Sequence, residues 1–550
     1  MNQHATHPSA EPVSGHTAPA KAYLVGGGIA SMAAAAFLIR DGDMRGCDIT
    51  ILEESDRLGG SLDGAGTATD GYVLRGGRML ESKYLCTFDL FASIPTLDGA
   101  STVTQEIVEW NRIMETSSKS RLVRDAVRET NPKFGLTERH IFNLERLVIE
   151  PERLLAETTI ADQFDPAFFR TNFWLMWSTT FAFQPWHSAV EFKRYLVRFM
   201  HMISGFGRLK GILRTVYNQY DSMVRPLQKW LEEHGVNFVF NTAVTDLALI
   251  SRDGLSTVGR IICGHGSKAW DIMVGADDLV LVTLGSMTEG SRLGTMDAAP
   301  ELVAKRDAGA WRLWEALARG RPEFGRPAAF DSHVEQSKWT SFTITLSDPT
   351  FLRLVRDFSG NVPGEGGLIT FVQSNWMASI VIPHQPHFLG QPEGVDVCWG
   401  YGLAVDAPGN FVAKPMSACG GREILTEIMG HLGIVDEAPA ILAGAICIPC
   451  MMPFITSQFL PRRAGDRPQV IPAGTRHLGL IGQYCELADD VVFTVEYSIR
   501  SAQVAVSTLL DLDRKPPAVY KGEFDVRVLA RAFAALHGAE LDQAAPALPG

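Results

Sequence analysis

The sequence has no excess of basic residues. Its 50 lysines and arginines are outnumbered by 62 aspartates and glutamates, which gives the 550-residue chain a formal net charge of −12. Nucleic-acid-binding proteins usually carry a basic surface, so this balance argues against a general nucleic-acid partner. The same charge repels an anionic small molecule at long range, and such a substrate would therefore need a local anchor.

Cysteine is also scarce, with eight residues in the whole chain. That number is too small for a disulfide scaffold. The single CxxC motif, Cys447 to Cys450, has no second CxxC or histidine pair nearby, so no metal site is predicted. We interpret the motif either as a redox dithiol or as small apolar residues within a buried run.

Long apolar runs and targeting segments are missing too. No stretch of about 18 apolar residues occurs, so the sequence predicts no transmembrane helix. Residues 1–20 lack the basic and apolar regions of a secretory signal and are predicted to be a disordered lead-in. A reducing, cytoplasmic compartment is therefore expected.

What the sequence does contain is a dinucleotide-binding fingerprint near its start. A short apolar strand, 22–25, leads into Gly26, Gly28 and Ser31, which match the pattern G-x-G-x-x-[G/A/S] before an alanine-rich helix. Gly26 permits the tight turn, Gly28 lets a pyrophosphate approach the backbone, and a small Ser31 allows close packing of helix and strand. The helix N-terminus then favours the phosphate charge.

An acid and a second glycine pair extend this fingerprint. Glu53 ends the next predicted strand, where it would bind ribose hydroxyls. Five residues separate it from Gly59 and Gly60, and this spacing resembles the FAD-binding pattern rather than the plain NAD pattern. A Rossmann-like turn without a cofactor is the alternative.

Two later segments support FAD. Residues 241–247 follow a predicted strand and are expected to lay a backbone amide, near Val244, against the adenine. Gly482 follows the strand LGLIG and precedes a helix, which is typical of the segment that closes a flavin site with backbone N–H groups. The sequence shows no second GxGxxG unit for a nicotinamide cofactor.

The order of elements predicts an α/β fold with insertions. Apolar strands with nucleotide-binding motifs are scattered along the chain, whereas residues from about 85 to 235 are helix-patterned and dense in aromatics. We expect a two-domain flavoprotein fold with a Rossmann-like βαβ core, an inserted helical/β substrate domain and a C-terminal helical segment. The predicted boundaries are 21–85, 235–330 and 465–515 for the FAD-binding domain, 86–234 and 331–464 for the substrate-binding domain, and 516–550 for the C-terminal segment.

Several long motifs make the sequence resemble a known family. They are LRGGRM (74–79), FAFQPWHSAVEFKRYLVRF (181–199), YNQYD (217–221), HQPHF (384–388), KPMSACGGREI (414–424), MMPFITSQFLPR (451–462) and GQYCELADDVVFTVEYS (482–498). Over about residues 20 to 520 the chain is similar to the oleate hydratases, once called myosin-cross-reactive antigens. The resemblance implies bound FAD, with its reduced form the more active, and addition of water to the cis-9 double bond of oleic acid. The product would be 10-hydroxyoctadecanoic acid, without net redox change.

The resemblance also implies catalytic residues. The family's acid, a tyrosine, maps onto Tyr195, which shares a predicted helical face with Phe192 and Phe199. A plain core aromatic is the alternative. The family's water-activating glutamate follows RGGR, but this chain has Met79 there, which cannot accept a proton. Three explanations stay open: Glu81 reaches the same cavity, backbone and neighbouring polar groups hold the water, or hydration is weak or absent.

The cofactor site implied by the fingerprint and the resemblance gathers residues from every one of these segments. Its predicted members are Gly26, Gly28, Ala30, Ser31, Glu53, Gly60, Ser61, Arg75, Gly76, Gly77, Arg78, Val244, Ser286, Gly482, Phe493 and Thr494. Arg75 and Arg78 either contact the flavin or pair with acids.

The anchor for the fatty-acid carboxylate is the least defined part of the substrate site. The resemblance maps Asn218, Gln219 and His387 onto it, and His384 is a further candidate. At two positions upstream of His387 the family often carries hydrogen-bond donors, whereas this chain has a valine and a proline there. An unsaturated long-chain fatty acid remains the expected partner, with altered chain length or affinity.

Two other functions stay open. The opening pattern is shared with FAD oxidoreductases such as amine oxidases and carotenoid-type desaturases, which need an electron acceptor, whereas a hydratase takes its oxygen from water. A flavin- and fatty-acid-binding relative with little catalysis is the third option. The amphipathic segment 524–536 is expected either to dock on a membrane or to pack on the body. The protein is expected to be a monomer or homodimer, either free in the cytoplasm or peripheral to the inner face of the membrane.

Overall fold

The computed structural model describes residues 20–130, 132–303 and 309–539. Most of the predicted lead-in and the end of the predicted C-terminal segment lie outside these ranges. The strands are β1 Ala22–Val25, β2 Ile49–Leu52, β3 Gly64–Thr67, β4 Gly71–Leu74, β5 Leu80–Glu81, β6 Leu122–Arg124, β7 Val127–Glu129, β8 Ile212–Leu213, β9 Asn237–Val239, β10 Ala243–Arg252, β11 Leu255–His265, β12 Lys268–Met273, β13 Leu279–Thr283, β14 Arg292–Leu293, β15 Trp339–Leu346, β16 Leu368–Phe371, β17 Ser379–Val381, β18 Asp396–Gly402, β19 Ala445–Met452 and β20 Leu478–Ile481.

Helices cover much of the remaining chain. They are α1 Ile29–Arg40, α2 Leu85–Phe91, α3 Val103–Ile113, α4 Glu138–Ile149, α5 Glu152–Leu155, α6 Asn172–Phe181, α7 Ala189–Arg198, α8 Arg225–Glu233, α9 Gly309–Ala318, α10 Ala328–Asp331, α11 Val334–Ser337, α12 Thr350–Ser359, α13 Gly421–Leu432, α14 Ala438–Ala443, α15 Val495–Leu509 and α16 Val526–Leu536. A long 3₁₀ segment, Met200–Arg208, follows α7.

A five-stranded parallel sheet carries the dinucleotide fingerprint. Its strand order is β20-β13-β1-β2-β9, and all four pairings are parallel. Helix α1 is buried along Ile29–Leu38, where its alanines allow it to pack closely against α15. The predicted α/β fold with a Rossmann-like core is confirmed. The strands come from the three segments predicted for the FAD-binding domain, whose boundaries stay a prediction.

Seven strands of a second, eight-stranded sheet lie in the segments predicted to bind substrate, whereas its edge strand β14 lies in a segment predicted for the FAD-binding domain. Its order is β14-β19-β15-β18-β17-β16-β6-β7, and the central strand β15 is buried along its whole length. Cys447 and Cys450 lie on β19 with buried, free thiols. Burial raises the pKa of the Cys450 thiol to about 12, which favours the interpretation as small apolar residues over a reactive dithiol.

The C-terminal helix packs on the body. Ala532 of α16 contacts Met200 and Ile203 of the 3₁₀ segment in a small apolar cluster. Its opposite side leaves Phe533 exposed, and Phe524 lies exposed just before the helix. Within the described ranges, every helix is too short or too polar to cross a bilayer.

Candidate active site

One cavity connects the loop after β1 to helix α7. Its volume is about 600 Å³, within the range typical of ligand pockets. Fourteen of the predicted cofactor residues line it: Gly26, Gly28, Ala30, Glu53, Gly60, Ser61, Arg75, Gly77, Arg78, Val244, Ser286, Gly482, Phe493 and Thr494. Gly76 lines a neighbouring pocket instead, and Ser31 packs behind the loop. Their cofactor contacts stay a prediction.

The glycine loop has the backbone that a phosphate site requires. Gly26 has a φ of +90°, and Gly28 precedes the first turn of α1. Among the described residues, a Cβ added at Gly28 would find only the Cα of Gly60 within 4 Å, at 3.9 Å, so the space beside it is open to a ligand. The first N–H groups of α1 lack partners within the helix and face negative charge favourably. The loop therefore fits a pyrophosphate.

Glu53 and Arg75 both make fixed contacts around this loop. The Glu53 Oε2 atom accepts a hydrogen bond from the N–H of Gly27 at 2.5 Å, and its Oε1 accepts one from Ser55. Arg75 donates to Asp63 at 2.7 Å and to the carbonyl of Gly60 at 2.6 Å. Of the two interpretations of Arg75, the geometry supports pairing with an acid.

Arg78 is less completely paired than Arg75. It donates to the carbonyl of Ser61 at 3.1 Å, and its buried Nε has no partner among the described residues. Burial, and then the neighbouring Arg75, lower the pKa of Arg78 to about 10, so the side chain remains charged at neutral pH. A cation with spare donors thus faces the cavity.

Tyr195 lies at the far end of the cavity. Helix α7, which carries it, begins after Ser188, whose hydroxyl accepts a hydrogen bond from the N–H of Glu191. The Tyr195 hydroxyl donates to the carbonyl of Val492 at 2.6 Å, and four phenylalanines surround its ring. Burial, and then the nearby Tyr84, raise the pKa of Tyr195 well above its usual value. The phenol therefore keeps its proton.

Glu81 lines the same cavity, but its carboxylate is already bound. Its Oε1 accepts from Arg198 at 2.7 Å, and its Oε2 accepts from the N–H of Lys83 at 2.7 Å and lies 3.4 Å from His201 Nε2. Burial favours a higher pKa, yet Arg198 and His201 outweigh it and hold the Glu81 pKa below its usual value. Its role as the base stays a prediction.

Sequence reasoning missed Tyr84, which precedes α2. It lines the same cavity as Met79 and Tyr195, and the guanidinium of Arg198 lies 5.6 Å from its ring centre. Its hydroxyl makes no hydrogen bond within the described part of the chain. Burial, and then Glu81, raise the pKa of Tyr84 well above its usual value. Its closeness to the RGGRM motif was the only available signal.

A smaller pocket of about 50 Å³ adjoins the cavity. Ser61, Arg78 and Gln219 line both spaces, and the smaller pocket also brings together the predicted Asn218, His384 and His387. The Asn218 amide donates to Asp221 at 2.8 Å and to the carbonyl of His387 at 3.0 Å, so it joins two loops. Sequence reasoning missed Arg214, which also lines the pocket.

The comparisons with known proteins identify the family. A family model described as the MCRA family matches residues 19–507. The chain belongs to this family. It is 39% identical over 525 residues to the oleate hydratase of Streptococcus pyogenes serotype M49 (strain NZ131), covering 93% of this chain and 89% of that protein. It is also 32% identical over 532 residues to the linoleate hydratase of Lactiplantibacillus plantarum, covering 88% and 92%. The resemblance inferred from the motifs is confirmed.

A solved structure shows the same fold. Cyclohexylamine oxidase from Brevibacterium oxydans IH-35A superposes with a TM-score of 0.51 at 12% identity, covering 90% of this chain and 99% of that chain. At this identity the likeness concerns the fold alone.

Proposed function

We propose that this MCRA-family chain is an FAD-dependent hydratase of unsaturated long-chain fatty acids. It would add water to the cis-9 double bond of oleic acid and give a 10-hydroxy fatty acid without net redox change. The observation that carries the proposal is one cavity that is lined both by the glycine loop after β1 and by the buried Tyr195. The two relatives named as hydratases support it.

The cavity residues fit FAD. The open space at Gly28 and the start of α1 would hold the pyrophosphate, Glu53 the ribose, and Arg78 with the start of α15 the flavin end. When bound, the flavin shapes and polarises the site, and we propose that its reduced form supports the higher activity.

In this proposal Tyr195 supplies the proton. Its hydroxyl gives a proton to one alkene carbon, and a water oxygen bonds to the other carbon as the π bond breaks. The water then loses a proton, which restores the phenol, so the net change is the addition of one water. Arg198 favours the transient phenolate because its charge acts to lower the pKa of Tyr195.

Tyr84 is proposed to hold the attacking water. Met79 has no proton acceptor, and both oxygens of Glu81 are engaged by Arg198, His201 and Lys83. The Tyr84 hydroxyl lines the same cavity as Met79 and makes no hydrogen bond among the described residues, so of the explanations for Met79 we favour neighbouring polar groups. A phenol accepts and donates one hydrogen bond each, which suffices to orient a water.

The hydration itself is tested with labelled water. The protein, FAD and oleate are incubated in H₂¹⁸O with reduced flavin, and the product is analysed by mass spectrometry. We expect the mass gain of one water containing ¹⁸O, without an added electron acceptor. A product that lacks ¹⁸O and needs an acceptor would indicate an FAD oxidoreductase, and no product despite bound fatty acid would indicate the weakly catalytic relative.

Membrane contact is part of this proposal because the substrate partitions into membranes. The exposed Phe524, Val526 and Phe533 form an apolar surface at α16 that would touch the lipid interface. Co-sedimentation with anionic vesicles, compared between the native chain and Phe524→Ser, measures this contact. The proposal holds equally for a monomer or a homodimer.

A further inference from the structure

Arg214 enters the small pocket from a rigid backbone position. It directly follows β8, and its N–H donates to Asn111 Oδ1 at 2.9 Å while its carbonyl accepts from Asn111 Nδ2 at 2.7 Å. Asn111 belongs to α3, so this helix fixes the point from which the side chain extends. The guanidinium then lines the pocket together with His384 and His387.

The guanidinium of Arg214 has no counter-ion among the described residues. Its Nε and Nη2 are buried without any hydrogen-bond partner. Burial is the sole cause that lowers the pKa of Arg214, to about 10, so it is still a cation at neutral pH. The one carboxylate that lines the pocket, Asp63, is bound to Arg75 at 2.7 Å. An unpaired buried charge is strongly unfavourable unless a ligand supplies the opposite charge.

The other groups of the pocket suit an anion as well. Both polar atoms of the Gln219 amide are buried without a partner in the described chain. Burial, and then Arg214 and His384, lower the pKa of His387 to about 3, so its imidazole is neutral and offers one N–H donor. With a volume of about 50 Å³, the pocket has room for a group of a few heavy atoms such as a carboxylate.

We propose that Arg214 is the charged anchor for the carboxylate of the fatty-acid substrate, alongside Gln219 and His387, which the family resemblance already maps onto this anchor. This inference rests on the proposed hydratase function. A planar guanidinium binds a carboxylate through two parallel hydrogen bonds, which fixes the acyl chain in position. Because the pocket shares a wall with the cavity that holds Tyr195, the anchor determines which carbons of the chain lie at the phenol. Arg214 is thus a positioning residue that sets double-bond selectivity.

The test compares substrates with and without the negative charge. Oleate and oleyl alcohol are assayed with the native holoenzyme, with Arg214→Met, with Arg214→Lys, and with the exposed Arg208→Met as a control for charge loss. For Arg214→Met we expect the KM for oleate to rise roughly 10- to 100-fold, the loss typical of a hydrogen-bonded charge pair, and the KM for oleyl alcohol to change little. Arg214→Lys should retain part of the preference for oleate, and Arg208→Met all of it.

Two further readouts separate anchoring from a structural role and from hydration itself. Binding of stearate, which has no double bond to hydrate, is followed by tryptophan fluorescence, since Trp110 and Trp399 line the pocket. We expect Arg214→Met to lose stearate binding and to melt at or above the native temperature, because an unpaired buried charge has been removed.

Each outcome decides one of the two proposals. If the native protein binds stearate through Arg214 but hydrates nothing, the anchor stands and the hydratase proposal fails. If the native protein hydrates oleate while Arg214→Met binds stearate normally, the anchor is refuted. Equal losses for oleate and oleyl alcohol, or an Arg214→Met protein that does not fold, would make the guanidinium a structural group and also overturn the inference.

Discussion

Arg198, beside the cavity, and Arg214, in the wall of the small pocket, differ in one respect. Arg198 forms an ion pair with Glu81 at 2.7 Å and with Asp490 at 3.5 Å, and it donates to the carbonyl of Lys83. Arg214 has no such partner in the described chain. Breaking a buried ion pair strongly lowers the stability of the fold. An unpaired buried charge already lowers stability, and a bound ligand of opposite charge relieves that loss. We therefore infer that Arg198 stabilises the fold and that Arg214 binds substrate.

The same difference separates the two ends of the proposed substrate site. Around Tyr195 the charges are compensated, because Arg198 and Arg500 are bound by Glu81, Asp490 and Glu496. That balance keeps a neutral phenol ready to donate a proton. The small pocket is uncompensated and positive, within a chain of net charge −12. A fatty acid matches both ends, since its alkene needs a proton and its carboxylate needs a cation.

The largest expected effect tests the chemical end alone. Tyr195→Phe removes the hydroxyl that would protonate the alkene, and we expect the hydration rate to fall by about 10²- to 10⁴-fold, the usual contribution of a general acid. Mass spectrometry of the hydroxy product measures the rate. Stearate binding should stay native because the pocket of Arg214 is untouched. If Tyr195→Phe stays active, another group delivers the proton. The assignment of chemistry to the Tyr195 end and of anchoring to the Arg214 end would then be wrong.

The paired arginine should be needed for stability. Arg198→Met leaves the buried Glu81 without its arginine and removes one of the two arginines beside Asp490, and we expect the free energy of unfolding to fall by about 3–5 kcal/mol. Urea denaturation of Arg198→Met and Arg214→Met side by side provides the measurement. If both variants lose the same free energy of unfolding, ion pairing does not distinguish the roles of Arg198 and Arg214.

Helix α7 carries a second paired charge, which predicts a pH dependence. Glu191 accepts from Arg462 at 3.0 Å and from Arg467 at 2.8 Å. Burial favours a higher pKa, but Arg467, Arg462 and Arg194 together lower it from 4.5 to about 2. The folded pKa lies below the unfolded one, so this stabilisation is complete above about pH 4.5 and is lost as the pH falls towards 2.

Acid denaturation of the native chain and of Glu191→Gln measures this contribution. The glutamine variant should be less stable at neutral pH and should lose less stability on acidification. Identical slopes for the two proteins between about pH 4.5 and 2 would show that Glu191 does not titrate as a paired group.

How far the sequence predicts this molecule follows from how local each signal is. The β1–α1 turn was predictable because a strand, three small residues and a helix are adjacent, and β1 has its predicted bounds. The pairing of Glu81 was not, because its partner Arg198 lies 117 residues away. Arg214 was missed for a related reason: a charge is seen to be unpaired only when every neighbour is known. Sequence motifs therefore identified the cavity but not the charge balance inside it.

The smallest expected effect decides which group serves the water. Tyr84→Phe removes the hydroxyl that has no protein partner, and loss of one hydrogen bond to a reacting water should slow hydration by about tenfold with little change in stability. Glu81→Gln weakens the pair with Arg198, so it should lower stability but leave the turnover of folded protein nearly native. The hydration rate of both variants is measured in assays that are stopped at fixed times, and it is divided by the fraction of protein that is folded. The reverse pattern, a normal Tyr84→Phe and a slow Glu81→Gln, would return the base to Glu81. It would also mean that a fully paired carboxylate takes part in the chemistry, so pairing alone would no longer separate structural from functional charges.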